Sequence, residues 1–318
     1  MHKEKLEEKS SNNISGAIKK FDKHKSAAST ALTFWLIKKT YSDAIEYTGI
    51  ARGTRGLIIF AGLIASSLGF WFGWRLILDS LRWGIDGFVG WFSILCAIGS
   101  LIFGFYIAIK SVRLEFFRPE DEPTIFDRKN RKVYRIYRET YSGWRGLLRP
   151  WPVKTATYEW DLVDAEHHAQ LNSNTATVSR IHSLVFLVRK NSADPSIVDT
   201  FQIGNSMQMS EVTVPAVWEH IRRFMEENGP HLLPGEVLFS FEKPKNWWES
   251  VLSAGPYGGN FKNIWQHHRF FAVASLIFFP IIFPFIILVG SFAWLSFETS
   301  TRIGWAPEVL QAVGDPIS

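Results

Sequence analysis

Three long apolar runs constrain this chain more than any other feature of its sequence. They cover residues 57–78, 87–109 and 270–297. A helix needs about 20 apolar residues to cross the hydrocarbon core of a bilayer. Each run has at least that length, and a long polar segment separates the second run from the third. The sequence therefore predicts a membrane protein with three transmembrane helices and one soluble domain.

The distribution of charge predicts how such a protein would be oriented. Residues 1–55 carry eleven Lys and Arg against six Asp and Glu, whereas the tail at 298–318 holds a single basic residue. Positive charge is retained on the cytoplasmic side of a membrane. We therefore expect residues 1–55 and 110–269 in the cytoplasm and the tail in the periplasm. The N-terminus lacks the apolar region of a signal peptide, so the prediction is a multi-pass protein of the bacterial inner membrane with a cytoplasmic N-terminus.

Residues 1–55 are not expected to form a domain of their own. Apolar residues recur there at roughly helical spacing, and lysines lie off that stripe. This pattern is typical of an amphipathic helix on the inner leaflet, where each basic residue gains about 1 kcal/mol from anionic lipid. A disordered basic leader is the alternative, and the sequence favours neither. The stripe consists of Ile14, Ile18, Phe21, Ala28, Leu32 and Trp35.

The first two apolar runs are expected to form a transmembrane hairpin over residues 56–109, because only residues 79–86 connect them. Small residues such as Gly62 and Gly69 would let the two helices pack closely in lipid. No acidic, basic or histidine side chain lies deep in either run, which argues against a transporter or a proton relay. Cys96 is the one cysteine, so a disulfide within the chain is excluded.

The third apolar run contains Pro280 and Pro284, which predict a kink because each removes a helix donor. We interpret residues 270–297 as a full transmembrane helix. A re-entrant helix is the alternative and would leave the tail in the cytoplasm. The preceding residues 246–269 combine Trp, Tyr and Gly, which is typical of an interfacial linker at the membrane surface.

Residues 110–245 contain short runs rich in Val, Thr, Phe and Tyr, which predict β-strands. Apolar residues then recur at helical spacing over 214–228, with Trp218, Ile221 and Met225 as expected buried anchors. Antiparallel strands closed by one C-terminal helix are the outline of a pleckstrin-homology-like barrel. The predicted strands are 112–117, 124–127, 132–137, 155–161, 183–188 and 198–203.

These segments together predict the fold class. It is an α+β membrane protein with a transmembrane helical hairpin, a β-rich pleckstrin-homology-like cytoplasmic domain with a C-terminal helix, and a third transmembrane helix. The predicted order is a basic N-terminal segment, the hairpin, the β-rich domain, the interfacial linker, the third helix and the periplasmic tail.

The densest cluster of possible metal ligands lies in residues 161–168. It consists of Asp161, Asp164, Glu166, His167 and His168. Adjacent histidines of a strand point to opposite faces and bind one ion poorly, so an exposed polar loop is the preferred interpretation. The chain has no nucleophile elbow, no phosphate-binding loop and no dinucleotide fingerprint. The sequence therefore predicts no enzyme, no cofactor and no metal.

The stretch 128–149 is strongly basic and interleaved with aromatic residues. This composition can bind nucleic acid, but anionic lipid headgroups are the better candidate because the chain has just left the membrane. An acidic protein partner is a third interpretation. A solvated basic face that obeys the positive-inside rule explains the stretch equally well. The residues expected to form a binding face are Arg128, Arg131, Arg135 and Arg138.

A resemblance narrows the expected function. It rests on the sequence FDRKNRKVY at 126–134, on Trp160, and on VWEHIRRFMEE at 217–227 with the Gly-Pro and Leu-Pro pairs at 229–230 and 233–234. In these motifs the chain resembles an uncharacterised family of Gram-negative inner-membrane proteins. Genes of that family often lie beside those for type VI secretion effectors, and such neighbours are commonly immunity or accessory proteins. No functional residue can be carried over.

The resemblance implies an inner-membrane immunity protein that neutralises a cognate type VI secreted toxin by binding it. The expected partners are that toxin and membrane lipids, and not nucleic acid. The alternative is a membrane-tethered adaptor or lipid-sensing module that assists effector loading or organises an envelope complex. The two differ in outcome, because loss of an immunity protein kills the producer whereas loss of an adaptor stops toxin delivery.

Overall fold

The computed structural model of the chain is a mixed α+β structure. Among the residues that it describes, strands form two antiparallel sheets and three helices are long and apolar enough to cross a membrane. The residues that the structure describes are 16–49, 55–85, 87–141, 143–149, 151–174, 177–204, 209–240, 243–258, 261–301 and 303–317.

The strands differ in burial, since every residue of β3 and β4 is buried whereas β6 is largely exposed. One sheet has the order β1-β7-β8-β9 and the other the order β2-β3-β4-β5-β6. The strands are β1 (Ala17–Lys20), β2 (Ile37–Thr40), β3 (Ala44–Tyr47), β4 (Thr124–Asp127), β5 (Lys132–Arg138), β6 (Val153–Glu159), β7 (Val163–Asn174), β8 (Thr177–Arg189) and β9 (Ile197–Ile203).

The helices divide into long apolar ones and short connecting ones. The three long ones are α1, α2 and α8, and α4 is the amphipathic helix of the β domain. Their bounds are α1 (Leu57–Trp83), α2 (Gly87–Glu115), α3 (Gly143–Leu148), α4 (Thr213–Glu226), α5 (Trp247–Ser253), α6 (Phe261–His267), α7 (Arg269–Ile277), α8 (Phe279–Glu298) and α9 (Pro307–Val313).

The segment before the hairpin belongs to the β domain. Strand β3 pairs with β4 on the far side of the hairpin, with Ile45 opposite Phe126, and β1 pairs with β7. The expectation of an amphipathic helix or a disordered leader is therefore wrong for residues 16–49, and the β domain is not confined to 110–245. The reason is that β1 to β3 have four residues each, and their pairing partners lie far away in sequence. Ile14 of the proposed stripe lies outside the described residues.

Two further expectations about the strands need correction. Residues 112–117 were expected as a strand, but α2 continues to Glu115, because a helix does not need to end where its apolar run ends at the membrane surface. Residues 163–174, expected in part as an exposed loop, form strand β7. The remaining predicted strands are confirmed, although β8 begins at Thr177, well before the predicted start at residue 183.

Helix α4 lies at the centre of the domain core. Trp218, Ile221 and Met225 are buried as expected. The Trp218 ring stacks on Trp160 at 5.9 Å and on Phe21 at 5.5 Å between ring centres. These contacts bring together side chains from the N-terminal segment, the end of β6 and α4 in one aromatic cluster.

The polar side of α4 is buried too, which the helical pattern did not predict. The carboxylate of Glu219 accepts hydrogen bonds from Ser26 Oγ at 3.0 Å and from the Ala27 backbone N–H at 2.9 Å. It also accepts from the guanidinium groups of Arg222 and Arg223. The loop between β1 and β2 is thereby tied across the outer side of α4, so the helix is covered on both sides.

The three apolar helices meet the β domain at a buried junction. Arg55, immediately before α1, donates from Nη1 to the Ser296 carbonyl oxygen at 3.0 Å and from Nη2 to the Pro119 carbonyl oxygen at 2.8 Å. Glu115 at the end of α2 accepts from the Gly56 backbone N–H at 2.9 Å. These bonds join the start of α1, the end of α2 and the end of α8.

The third apolar run is broken, as Pro280 predicted. Helix α7 ends at Ile277 and α8 begins at Phe279. Residues 247–258 run back along α8, since Trp247 Nε1 donates to Ser291 Oγ at 2.9 Å and the Tyr257 and Phe279 rings lie 5.2 Å apart. The run therefore packs against residues 247–258 in a helical hairpin of its own.

The C-terminal tail packs on the β domain. Val309 and Val313 of α9 belong to an apolar cluster with Tyr41 and Ile125, and the Ile317 backbone N–H donates to Thr40 at 2.7 Å. The tail thus lies on the same side as the β domain of any bilayer that α1 and α2 cross. The expectation of a tail on the opposite side from this domain is wrong, because so few charges give the positive-inside rule little to act on.

Replacing Trp218 by Ala should destabilise the fold. Truncation of a large buried aromatic side chain costs about 3–5 kcal/mol, and Trp218 is fully buried in the aromatic cluster. The midpoint of thermal unfolding of the full chain in detergent should fall by several degrees. Val212→Ala is the matched control, since this side chain is 76% exposed, and equal midpoints for the two variants would show that α4 is not docked as described.

The side of the membrane on which each segment lies can be determined with single cysteines introduced into the Cys96→Ala variant. Lys129→Cys lies in the exposed β4–β5 turn, Glu308→Cys lies on the exposed side of α9, and Trp83→Cys lies at the exposed end of α1. A membrane-impermeant maleimide applied to intact cells should label Trp83→Cys alone. The other two should react together after permeabilisation. Labelling of Glu308→Cys together with Trp83→Cys would contradict the shared side of the tail and the β domain.

Candidate functional site

A polar cleft lies beside β1 and the end of β6. It forms because β1 pairs with β7 and the chain turns at 160–162 between β6 and β7. Its volume is about 580 Å³, large enough for a peptide side chain or a small polar ligand. It is lined by Lys20, Phe21, Asp22, Lys23, His24, Asp161, Asp164, Ala165 and Arg189.

Ion pairs across three strands form one wall of the cleft. The Asp164 carboxylate on β7 lies 3.4 Å from Lys20 Nζ on β1 and 3.2 Å from Arg189 Nε on β8. Arg189 Nη2 also donates to the Asp161 carbonyl oxygen at 2.7 Å. The lining as a whole sets three basic side chains against three acidic ones, so the wall is a network of ion pairs.

Lys23 forms the floor of the cleft. Its Nζ donates to the Trp160 carbonyl oxygen and lies 4.6 Å from the centre of the Trp160 ring. Burial lowers the pKa of Lys23 to about 8, against the opposing effect of Asp164 and Asp161. The amine is therefore charged at neutral pH and less strongly hydrated than a surface lysine.

Arg131 links the cleft to the end of α4. Its guanidinium donates to Asp161 at 2.6 Å and to Glu226 at 3.2 Å. Trp160 Nε1 donates to the same Glu226 carboxylate at 2.6 Å. The hydrogen bond from Arg131 is the main reason that the pKa of Asp161 is lowered, so both carboxylates are ionised and the cleft wall is rigid.

The structure separates the members of the 161–168 cluster. Asp161 and Asp164 line the cleft, whereas His167 and His168 are each 2% exposed. His167 Nε2 lies 2.9 Å from His182 Nδ1, and His168 Nε2 lies 2.9 Å from Glu166. Because their partners differ, the two adjacent histidines do not form a common site. Among the residues that the structure describes, no group of three or more His, Cys, Asp or Glu side chains is placed to hold a metal ion.

The four arginines expected to form a binding face are spread over the β4–β5 turn and β5. Arg128 pairs with Asp43 at 3.1 Å, and Arg131 belongs to the cleft. Arg135 pairs with Asp199 at 3.0 Å, and Arg138 donates to the Arg113 carbonyl oxygen at 3.0 Å. Each therefore has a partner within the protein, and the structure does not gather the four on one surface.

Comparison with known proteins places most of this architecture in one family. A family model of unknown function, DUF6708, matches residues 101–313. The chain belongs to the DUF6708 family. No curated protein and no solved structure matches the chain. The part matched to the family model begins within α2 and ends with α9, so it includes the cleft wall on β7 and β8 and the docked tail.

Sequence reasoning missed two groups of residues in this member of the DUF6708 family. It missed Lys23, because a lysine in a run of lysines gives no signal of burial. It also missed the pairing of Arg113 with Trp151, whose ring centre lies 5.0 Å from the Arg113 guanidinium carbon. The signal for the second group was an arginine just beyond a transmembrane run, followed later by a Trp-Pro pair.

Acidification should destabilise the fold through His167. Burial, together with the neighbouring His182, lowers the pKa of His167 from 6.5 to about 4. The unfolded chain therefore binds more protons between these values, and stability falls as the pH falls through this window. From pH 7 to pH 5 this amounts to about 2 kcal/mol.

Urea unfolding of the full chain in detergent at pH 7 and pH 5 measures this loss. His167→Gln should make the loss smaller, whereas His24→Gln, at an exposed position, should leave it unchanged. His220, whose pKa burial also lowers to about 4, remains in both variants. An identical loss in the wild type and in His167→Gln would contradict the buried neutral state of His167.

Proposed function

We propose that this chain is a membrane-anchored protein that acts by binding a partner at the membrane rather than by catalysis. The observation that carries this proposal is that α1 and α2 expose large apolar side chains and are joined to the β domain by the buried hydrogen bonds of Arg55 and Glu115. Large apolar side chains on α1 and α2 are exposed, among them Trp71 at 64% and Trp91 at 68%. Exposure of so large an apolar surface to water is unfavourable, whereas a lipid bilayer would cover it.

The orientation that we propose keeps both the β domain and the tail in the cytoplasm, with the bacterial inner membrane as the location. The basic N-terminal segment supports this orientation through the positive-inside rule. The Arg55 junction supports a fixed attachment, since it holds the ends of α1, α2 and α8 against the domain. The cleft is then presented to the cytoplasm at a constant height above the membrane.

Binding is favoured over catalysis by the state of the polar groups in the cleft. Asp161, Asp164 and Arg189 are engaged with neighbouring side chains or carbonyl groups. Lys23 donates its hydrogen bond to the Trp160 carbonyl oxygen and not to a nucleophilic side chain. Such groups exchange one ionic partner for another when a charged surface docks, which is what a protein interface requires.

The β domain itself supports a pleckstrin-homology-like assignment as part of this proposal. Two antiparallel sheets enclose a core to which α4 contributes. Two features go beyond the outline expected from the sequence. The transmembrane hairpin is inserted between β3 and β4, and α4 is covered by the β1–β2 loop on its outer side.

The more specific role, neutralisation of a cognate type VI secreted toxin, stays a prediction from the resemblance. DUF6708 carries no assigned function. Immunity is compatible with a binding protein that is fixed at the membrane through which a toxin acts. The adaptor or lipid-sensing alternative uses the same features, and the two are separated by whether loss of the protein kills the cell or stops toxin delivery.

Co-production with the toxin encoded beside the gene tests the immunity role. Protection should be stoichiometric, with survival rising in proportion to the ratio of this chain to the toxin, because a binding protein is consumed as it binds. The chain should remain in the membrane fraction after an alkaline wash. Full protection by protein at a small fraction of the toxin amount would reject binding as the mechanism, and release by the alkaline wash would reject the membrane anchor.

A further inference from the structure

A pair of arginines flanks one tryptophan at the membrane end of the β domain. Arg113 lies in the last turn of α2 and Arg138 ends β5. Their guanidinium carbons lie 5.0 Å and 4.8 Å from the centre of the Trp151 ring. Trp151 is 9% exposed, and its Nε1 donates to the Gly146 carbonyl oxygen at 3.1 Å. The ring is therefore fixed and holds two cations close to each other.

The protein leaves many of the donors in this cluster available. Each guanidinium carries five N–H groups. Arg138 Nη1 donates to the Arg113 carbonyl oxygen at 3.0 Å, and Arg113 Nη2 donates to the Arg149 carbonyl oxygen. Among the described residues, Arg138 Nε is buried without a hydrogen-bond partner. An oxyanion with several acceptor oxygens would match this set of donors.

The charges around this cluster also favour the binding of an anion. Burial, together with the charges of Arg113 and Arg118, lowers the pKa of Arg138, and burial lowers the pKa of Arg118. Glu122 is the carboxylate that acts on both, and burial raises its pKa. Arg118 also has Glu115 beside it, so two carboxylates face three guanidinium groups, and a further negative charge would relieve the remaining repulsion.

The depth of the cluster identifies the source of that charge. The apolar run of α2 ends at residue 109, and Arg113 is four residues further on, or about 6 Å along a helix. Phospholipid headgroups begin just beyond the hydrocarbon edge and extend for about 5–8 Å. Helix α3 runs beside this part of α2, because Trp144 packs on Tyr106 with 4.7 Å between ring centres and Arg113 Nη2 donates to the Arg149 carbonyl oxygen just after α3. Aromatic and basic residues at this depth are typical of headgroup contacts.

We propose that Arg113, Arg138 and Trp151 form a binding site for the phosphate group of an anionic phospholipid in the leaflet next to the β domain. Arg118 and Lys110 add to the positive field at the same level. The site rests on the proposed membrane anchor, since it reaches a headgroup only if α2 crosses the bilayer. It differs from the basic face expected from the sequence, of which it retains Arg138 alone.

The test uses the full chain purified in an uncharged detergent. Phosphatidylglycerol, phosphatidylcholine with the same acyl chains, and inorganic phosphate are titrated separately, and the thermal unfolding midpoint is followed. Native mass spectrometry counts the retained lipids. Arg113→Gln and Arg138→Gln remove charge from the site, Arg138→Lys keeps the charge without the planar fork, and Lys129→Gln removes one charge from the exposed β4–β5 turn as the matched control.

Phosphatidylglycerol should raise the midpoint more than phosphatidylcholine does. Each Gln variant should need about tenfold more phosphatidylglycerol for half of the effect, because charge-assisted hydrogen bonds contribute on this scale. Lys129→Gln should respond as the wild type, and Arg138→Lys should lie between. The readout is the lipid-induced shift, so a variant with a lower starting midpoint remains informative.

Three results would overturn the site. The first is an equal response to the two lipids, and the second is a wild-type response in both Gln variants. The third is full stabilisation by inorganic phosphate at the same concentration, which would indicate a soluble anion in place of a lipid. Release of the chain from alkaline-washed membranes would instead reject the anchor itself, so failure of the site and failure of the proposed function are distinguishable.

Discussion

The buried guanidinium of Arg55 is the interaction on which the arrangement of this protein depends. A charged group taken out of water costs several kcal/mol unless hydrogen bonds replace its hydration. Arg55 is 5% exposed and meets this requirement with acceptors from two separate segments, Ser296 and Pro119. Moving any one of these segments would leave the charge buried without its acceptors. The long apolar helices and the β domain are therefore fixed to each other and do not behave as two bodies on a flexible linker.

The pairing of β3 with β4 across the helical hairpin is a second constraint on how the apolar helices join the β domain. Tyr47 at the end of β3 pairs with Thr124 at the start of β4, so the chain must leave and re-enter the domain at neighbouring points. Two close-packed antiparallel helices satisfy this requirement. A Cβ atom at Gly62 would lie 1.8 Å from Ser111 Oγ, and one at Gly69 would lie 3.2 Å from the Gly104 Cα atom, so small residues are needed where α1 and α2 meet.

The sequence predicted the elements whose signal is local. The apolar runs, the kink at Pro280 and the buried face of α4 with Trp218 follow from composition and periodicity within one segment. The short strands β1 to β3 could not be predicted, because a four-residue strand is defined by partners that lie far along the chain. The same holds for the cleft and the Trp151 cluster. The sequence singled out Asp161 and Asp164 by their charge. The burial of His167 in β7 and the stacking of Arg113 on Trp151 depend on contacts between distant segments, which the sequence does not show.

Strand β5 relates the two candidate surfaces to each other. Arg131, immediately before the strand, binds Asp161 at the cleft, and Arg138 at its other end reaches the Trp151 cluster. Seven residues of extended chain span roughly 23 Å, so the cleft and the Trp151 cluster are separated by about the length of β5. In the orientation that we propose, a partner recognised at the cleft exposes its binding surface in the cytoplasm. A toxin that acts within the bilayer would instead have to contact α1, α2 or α8. The site of action of the partner therefore decides between these two modes of binding. The cleft would serve a partner on the side of the β domain, and the apolar helices would serve one within the bilayer.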